Sequence, residues 1–207
     1  MDDKKVLLNE KEYQGVGGFL VEIIKVFALA LIIIIPIRVF LFQPFFVQGA
    51  SMEPNFNDGE YLIVNELGYK KTKISFGNLN IFTMKNFRDL KRGDVIVFRY
   101  PKSPSHFFIK RVIAVAGERV EIMDGEVIVY NEENPKGIIL DEEKYLPKKI
   151  KTEGNTSFNV EEGEIFVLGD NRGASSDSRV WGLVGEDDVI GKVALRAWPI
   201  NKFSLSF

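Results

Sequence analysis

The sequence contains no cysteine and only one histidine, His106. The first absence excludes disulfide bonds, thiolate nucleophiles and cysteine-based metal sites. The second excludes a multi-histidine metal site, and it leaves His106 as the one imidazole available to a Ser-His-Asp triad. His106 follows the Pro- and Ser-rich segment PKSPS, which predicts an exposed turn or loop. If the chain carries a reactive serine, the sequence favours a base other than histidine.

A surplus of basic residues is also lacking. The chain has 27 Lys and Arg against 29 Asp and Glu, so the formal net charge is -2 at pH 7. Nucleic-acid-binding domains usually carry a basic patch, and we therefore expect no nucleic-acid partner. The length of 207 residues suits one domain of ordinary size with an additional segment.

One long apolar run is present, from about Gly18 to Phe42, with the core VFALALIIIIPI. A bilayer span needs about 20 mostly apolar residues, and this run suffices if Lys25 and Arg38 lie near its ends and extend their charges to the interfaces. The run lacks the polar face of an amphipathic core helix. A cleaved signal peptide is the alternative, but its apolar core is usually only about 7 to 15 residues. The sequence predicts a transmembrane anchor at 18–42.

The basic residues near this run predict its direction in the membrane. Four lysines precede or open the run, whereas after Arg38 no Lys or Arg occurs until Lys70. By the positive-inside rule, segment 1–17 would be cytoplasmic and 43–207 extracytoplasmic. We therefore expect a single-pass protein of the plasma membrane, with the lipid bilayer as one partner.

Short strand patterns dominate the sequence beyond the anchor. They include EYLIVNEL, DVIVFRYP, EIFVLGD and VIGKVALRAW, and Asp124-Gly125 is typical of a hairpin turn. Because no sustained 3.6-residue period occurs, we expect a mainly β fold in which one N-terminal transmembrane helix precedes a β-rich domain. Segment 131–159 is rich in Lys, Glu, Asn and Pro, and we expect it to be an extended insertion or a small flap.

Two residues, Ser51 and Lys110, are candidates for a chemical role. Ser51 lies in GASMEP, nine residues after Phe42, and an extended chain covers at most about 3.3 to 3.6 Å per residue, so Ser51 lies within roughly 30 Å of the span. In the strand pattern FFIKRVIAVAGE, alternation directs Lys110 to the same face as Phe108. An amine among apolar neighbours loses hydration, its pKa falls, and it can act as a general base. A lysine that protects a sheet edge is the alternative.

The stretches SMEP, RGDVIVF, KRVIAVAGE and GDNRGASSDSR occur in this order along the chain. They resemble motifs of one family, the type I signal peptidases, which include the bacterial leader peptidases. SMEP follows the predicted anchor, as that family's Ser-Met-x-Pro motif does. RGDVIVF and KRVIAVAGE resemble its two strand motifs, and GDNRGASSDSR matches every fixed position of its Gly-Asp-Asn-Arg-x-x-Ser-x-Asp-Ser-Arg motif. The order also agrees, so the resemblance covers nearly the whole chain except 131–159.

The resemblance implies a signal-peptidase-like catalytic domain at 43–207 and a membrane-anchored serine endopeptidase. Its substrates would be secreted preproteins, cut after Ala-x-Ala-type sites, and no metal or cofactor would be needed. By this resemblance Ser51 is the nucleophile, its N–H contributes to the oxyanion hole, and Lys110 is the general base. Ser175 would hydrogen-bond and orient the Lys110 amine. Further supporting residues would be Gly49, Asp170, Asn171, Arg172, Asp177 and Arg179.

The sequence departs from the family pattern at three places. Gly49 stands where some members have a serine that donates to the oxyanion, which leaves the second donor open. Asn55-Phe56 stands where Thr-Leu is common, and Ala116 stands where proline is common before the glycine. We expect these last two changes to alter packing rather than chemistry.

Three other functions stay open at this point. They are a Ser-Lys peptidase restricted to pilin-like or transfer-system precursors, a silent homologue that binds preproteins, and a self-cleaving repressor. The anchor and the lack of a DNA-binding region disfavour the repressor.

Overall fold

The computed structural model describes residues 16–40, 42–69, 72–76, 79–84, 88–147 and 150–205. The chain divides into two compact units, 1–39 and 40–207.

Helix α1, Val16–Phe40, belongs to the first unit. Its stretch Gly17–Ile35 is long and apolar enough to cross a membrane, and large side chains such as Phe27 are exposed along it. Two details differ from the sequence expectation. Lys25 lies inside this stretch rather than near its end, and the helix ends at Phe40. Phe42, which the sequence assigned to the span, is therefore the first residue of a strand.

The described residues of the second unit form fourteen strands and one short helix, α2, at Ser178–Trp181. The strands are β1 Phe42–Phe46, β2 Tyr61–Asn65, β3 Thr72–Phe76, β4 Leu79–Met84, β5 Val95–Tyr100, β6 Ser103–Ala114, β7 Arg119–Met123, β8 Glu126–Tyr130, β9 Ile138–Ile139, β10 Thr156–Asn159, β11 Glu164–Leu168, β12 Val184–Gly185, β13 Val189–Trp198 and β14 Ser204–Leu205.

Most of these strands join one antiparallel sheet. Its order is β1-β2-β13-β5-β6-β11-β12, with β14 paired to β13. A second sheet has the order β10-β7-β8-β9, and β3 pairs with β4. Buried side chains such as Phe98, Val112 and Val167 join the middle strands of the first sheet into a core. The predicted mainly β fold is confirmed.

The hairpin predicted at Asp124-Gly125 joins β7 to β8. Both turn residues have positive φ, 55° for Asp124 and 89° for Gly125, which is the requirement of the tight turn that suits strand twist. The sequence signal was therefore sufficient at this position.

The sequence analysis did not predict β1, whose FQPFF segment contains a proline. Pro44 cannot donate a backbone hydrogen bond, so a strand that contains it is confined to a sheet edge. β1 lies at the edge of the first sheet and pairs only with β2. Phe45 packs against the core from this strand.

The predicted insertion, residues 131–159, is hydrogen-bonded to the second sheet in its described part. β9 pairs with β8, β10 pairs with β7, and Thr152 N donates to Gly125 O at 2.9 Å. Because both ends and the middle are hydrogen-bonded to the second sheet, the insertion is held as part of the fold.

Candidate active site

Ser51 and Lys110 meet at the floor of a cleft. Lys110 Nζ donates to Ser51 Oγ at 2.7 Å and to the Ile109 carbonyl at 2.8 Å. Lys110 is fixed by β6, where it lies opposite Ile96 of β5. Two residues 59 positions apart in the sequence are thus joined by one hydrogen bond.

The Lys110 side chain is 3% exposed, and its amine lies 5.4 Å from the centre of the Phe108 ring. Burial lowers its pKa from 10.5 to about 8, although the negative charges of Asp177 and Asp170 act in the opposite direction. An uncharged amine is therefore accessible near neutral pH, which suits proton acceptance from a hydroxyl.

Buried and hydrogen-bonded neighbours hold the Ser51 backbone. Met52, the next residue, is 1% exposed in the core. On the other side, Asn171 N donates to the Ser51 carbonyl at 3.0 Å, and Asn171 Nδ2 donates to the Ala50 carbonyl at 3.0 Å. The hydroxyl is thus positioned by its own segment and by a second loop.

Gly49 lies in the left-handed region at φ 88°, where a side chain is strained. Its N–H donates to Asp58 Oδ1 at 2.7 Å. The Gly49 N–H is therefore already hydrogen-bonded, and it does not account for the second donor to the oxyanion.

The second loop comprises residues Gly169–Ser176 and is called the 169–176 loop. Asp177 follows it, is fully buried, and accepts from Gly169 N at 3.1 Å. Asp177 also accepts from Arg179 Nε and Nη2, both at 2.8 Å. Arg179 Nη2 reaches back to the Arg172 carbonyl at 2.7 Å, so one ion pair ties the two ends of the loop together.

Asp170 forms a buried, bidentate ion pair with Arg111 of β6. Arg111 Nε and Nη2 donate to its two carboxylate oxygens at 2.8 and 2.7 Å. Asn55 Nδ2 donates to the same carboxylate at 2.8 Å. Leaving one buried charge without its partner typically costs about 3 to 5 kcal/mol, so this pair fixes the loop on the strand that carries Lys110.

Arg172 connects the 169–176 loop to the insertion. Its guanidinium donates to Glu142 at 2.8 and 2.5 Å and to the hydroxyl of Thr152. Burial alone would lower the pKa of Arg172, but the hydrogen bonds and charge of Glu142 outweigh burial and raise it. Arg172 is therefore charged in its buried position.

Sequence reasoning missed three residues near the site, Asn55, Glu142 and Tyr145. Asn55 had been expected to affect packing only, but its amide bonds Asp170 and the Tyr145 carbonyl. The one available signal was its departure from the family pattern. Glu142 and Tyr145 gave no signal, because they lie in a polar segment without periodicity. The neighbouring Phe56 is fully buried in the core, where it affects packing as expected.

The expected hydrogen bond from Ser175 to the Lys110 amine is not formed. Ser175 Oγ is buried without a hydrogen-bond partner, while the Lys110 amine is bonded to Ser51 Oγ and the Ile109 carbonyl. These two acceptors orient the amine in place of Ser175.

The cleft above the dyad has a volume of about 610 Å³, and its walls include Phe45, Leu62, Val97 and Ile109. Within the residues that the structure describes, β11 pairs with β6 only from Arg111 onward. The edge of β6 that faces away from β5 is thus open before Arg111. An open strand edge beside a cleft can receive an extended peptide as an added strand.

His106 also lines this cleft. It lies on β6 rather than in the predicted loop, although it is exposed as expected. Its Nδ1 is bonded to the hydroxyls of Ser103 and Ser105 at 3.0 and 3.2 Å. In the described ranges, no group of three or more His, Asp or Glu side chains could hold a metal ion.

A serine hydroxyl bonded to a buried amine beneath an open cleft is compatible with a serine hydrolase. The family model described as signal peptidase, peptidase S26, matches residues 20–198. The chain therefore belongs to the signal peptidase family, and it is a serine peptidase.

Two sequence relatives agree with this assignment. Signal peptidase IB of Staphylococcus aureus strain MRSA252 is 32% identical over 199 residues, covering 91% of this chain and 94% of the relative. Probable signal peptidase I-1 of Synechocystis sp. is 31% identical over 194 residues, covering 89% and 86%. A crystal structure of a signal peptidase I from Enterococcus faecalis V583 matches with a TM-score of 0.41 and 29% identity, over 51% of this chain and 97% of that one.

The close approach at Gly169 generates a prediction. A Cβ atom there would overlap the Ser175 side chain and the Ser51 carbonyl oxygen, whereas a Cβ at Gly173 of the same loop would meet nothing within 4 Å. We expect Gly169→Ala to destabilise the protein by about 1 to 3 kcal/mol through overpacking and to reduce peptidase activity. Thermal unfolding of the full chain in detergent micelles measures the first effect.

Gly173→Ala is the matched control, and we expect it to change the free energy of unfolding by no more than about 0.5 kcal/mol. Equal effects of the two substitutions would contradict the tight packing of Gly169 against Ser51.

Proposed function

We propose that this chain removes N-terminal signal peptides from secreted preproteins as a membrane-anchored endopeptidase, with Ser51 as nucleophile and Lys110 as general base. The observation that carries the proposal is the 2.7 Å hydrogen bond between Lys110 Nζ and Ser51 Oγ. A buried amine with a pKa near 8 can replace histidine in this role. His106, the sole imidazole in the sequence, bonds Ser103 and Ser105 instead.

In the acylation step, the uncharged Lys110 amine accepts the proton of the Ser51 hydroxyl while Oγ attacks the scissile carbonyl carbon. The Ser51 backbone N–H donates to the oxyanion that forms. The resulting Lys110 ammonium gives the proton to the leaving nitrogen, and the peptide bond breaks. The signal peptide stays attached to Ser51 as an ester, and the mature protein leaves with a free amino terminus.

In the deacylation step, Lys110 accepts a proton from a water molecule that attacks the ester carbonyl. The ester bond to Ser51 Oγ breaks, the proton returns to that oxygen, and the signal peptide leaves as a carboxylic acid. One lysine therefore serves both half-reactions, as histidine does in serine proteases.

Substrate binding in this proposal uses the open edge of β6. An extended peptide would add to this edge by backbone hydrogen bonds, and the alternation of a strand would turn every second side chain into the cleft. Apolar walls that include Leu62, Val97 and Ile109 favour apolar side chains. The preference for sites of the Ala-x-Ala type is what the family resemblance implies.

The location that we propose is the outer surface of the plasma membrane. The apolar helix α1 would be the anchor, and the lysines before it favour a cytoplasmic N-terminus. An exposed aromatic row crosses three strands of the catalytic unit: Phe46 lies opposite Tyr61, and Tyr61 lies opposite Trp198. Trp and Tyr are enriched where proteins meet lipid headgroups, which supports contact of this row with the bilayer.

The first test of the proposed function is cleavage of a preprotein with an Ala-x-Ala site. Full-length wild type, Ser51→Ala and Lys110→Met are compared in detergent micelles, with products identified by mass spectrometry. We expect wild type to cut once, after the second alanine. Both variants should lose nearly all activity, because one lacks the nucleophile and the other lacks the base.

Thermal unfolding of both variants is the control for their folding. Near-normal cleavage by a folded variant would remove its residue from the mechanism. A folded wild type that leaves this preprotein intact would favour a narrower substrate range or a silent homologue that binds preproteins.

The aromatic row generates a second test. The chain has two tryptophans, so Trp181→Phe leaves Trp198, which is 52% exposed, as the sole tryptophan, and its fluorescence can be excited selectively. In vesicles whose acyl chains are brominated near the headgroups, we expect strong quenching of Trp198. The matched variant Trp198→Phe leaves Trp181, which packs on Phe98, and should be quenched little. Equal weak quenching of both would contradict contact of the row with the bilayer.

A further inference from the structure

The insertion contacts the 169–176 loop through the ion pair of Glu142 with Arg172. We propose that the insertion braces this loop, and that Asn55, Glu142 and Tyr145 are positioning residues for the Ser51-Lys110 dyad. The inference rests on the proposed function, because it assigns a role in the same reaction to residues that do not touch the substrate.

The first connection is the ion pair of Glu142 with Arg172. Both carboxylate oxygens of Glu142 accept hydrogen bonds from the Arg172 guanidinium. The Arg172 side chain is 1% exposed. The same guanidinium donates from Nε to the Gly169 carbonyl at 3.1 Å. Glu142 thus fixes an arginine that in turn fixes the first residue of the 169–176 loop. A bidentate, buried pair holds both direction and distance.

The second connection runs through one amide group. Asn55 Nδ2 donates to the Tyr145 carbonyl at 2.6 Å and to Asp170 Oδ2 at 2.8 Å. A side-chain NH₂ group has two donors, so both bonds can be satisfied together. Asn55 therefore links the insertion to the loop carboxylate that pairs with Arg111. It lies four residues after Ser51, and the same amide ties the nucleophile segment to both partners.

Tyr145 closes this network. Its ring lies over the Arg111 guanidinium at 4.1 Å, and its hydroxyl donates to Glu142 Oε1 at 2.7 Å. Burial, together with the negative charge of Glu142, raises the pKa of Tyr145, so the phenol stays protonated and keeps this donor. The cation–π contact and the hydrogen bond connect the two ion pairs of the loop, Asp170 with Arg111 and Arg172 with Glu142.

The braced loop is in direct contact with the nucleophile. Gly169 lies so close to the Ser51 carbonyl and the Ser175 side chain that no Cβ fits between them. Asn171 holds the carbonyls of Ala50 and Ser51. A shift of the loop would therefore move Ser51 relative to Lys110, whose backbone is held by the pairing of β6 with β5. Displacements of about 1 Å can reduce the rate of a positioned reaction about 100-fold.

A brace needs a fixed support, and the second sheet provides it. β9 extends this sheet from one end of the insertion, and Thr152 N bonds the Gly125 carbonyl beside the β7–β8 hairpin. Thr152 Oγ1 in turn accepts from Arg172. The second sheet thus holds the insertion in place, and the insertion in turn holds the 169–176 loop in place.

The test measures kcat and KM of the full chain in micelles, with the preprotein of the Ala-x-Ala type as substrate. Glu142→Gln weakens the ion pair, and Asn55→Ala removes the bridging amide. We expect kcat to fall about 10- to 100-fold in each variant, with KM changed less than about twofold because substrate contacts are intact. Glu133→Gln is the matched control, since Glu133 is exposed in the same insertion, and it should behave as wild type.

Hydrogen–deuterium exchange of a peptide covering the 169–176 loop gives a second readout that does not depend on cleavage. The Asn171 amide is bonded to the Ser51 carbonyl. We expect faster exchange of this peptide in Glu142→Gln and in Asn55→Ala, but not in Glu133→Gln.

The outcomes separate the two proposals. Wild-type protein that does not cut the preprotein contradicts the proposed function, and loop exchange then decides on the brace alone. Cleavage by wild type, with unchanged kcat and exchange in both folded variants, overturns the brace only. An increase in KM with unchanged kcat also overturns it, because it would indicate a substrate contact. If one variant does not fold, the other carries the test.

Discussion

The candidate site is organised around one interaction, the hydrogen bond between a buried lysine amine and a serine hydroxyl. Removing an ammonium group from water costs free energy. Burial therefore favours the uncharged amine and lowers the pKa of Lys110 to about 8. Two buried carboxylates, Asp170 and Asp177, act against this shift. Each is engaged by an arginine, Arg111 or Arg179. The two carboxylates thus hold the loop, and each is paired with an arginine rather than with the Lys110 amine.

The two sheets contribute differently to this site. The first sheet supplies β6, which carries Lys110 and Arg111 and leaves an open edge beside the cleft. The second sheet supports the insertion, which contacts the loop that holds the Ser51 backbone. Ser51 is therefore held by the 169–176 loop and Lys110 by β6, and the Asp170–Arg111 ion pair joins the loop to that strand. The 2.7 Å separation of Ser51 Oγ and Lys110 Nζ is a property of the whole β unit rather than of one segment.

The sequence predicted what short-range rules determine. Alternation along β6 placed Lys110 among apolar neighbours, and the structure buries it; the Asp124-Gly125 hairpin followed from turn chemistry. The edge strand β1 was not predicted, because sequence rules disfavour a strand where a proline occurs. The contacts of Glu142 were not predictable, since long-range pairing in a polar insertion leaves no periodic pattern. The expected bond between Ser175 and the Lys110 amine was not found. Which acceptors an amine bonds depends on their positions in three dimensions, and the sequence does not give these positions.

The central claim is that burial keeps Lys110 available as an uncharged base. Direct titration of its amine tests this claim, by NMR of the full chain in micelles with lysines labelled at ¹³Cε. The Lys110 signal is the one missing from a Lys110→Met variant. A midpoint at about pH 8, below that of the exposed lysines, is the predicted result. A midpoint at its ordinary value near 10.5 would contradict the account, because the amine would then be charged throughout the neutral range.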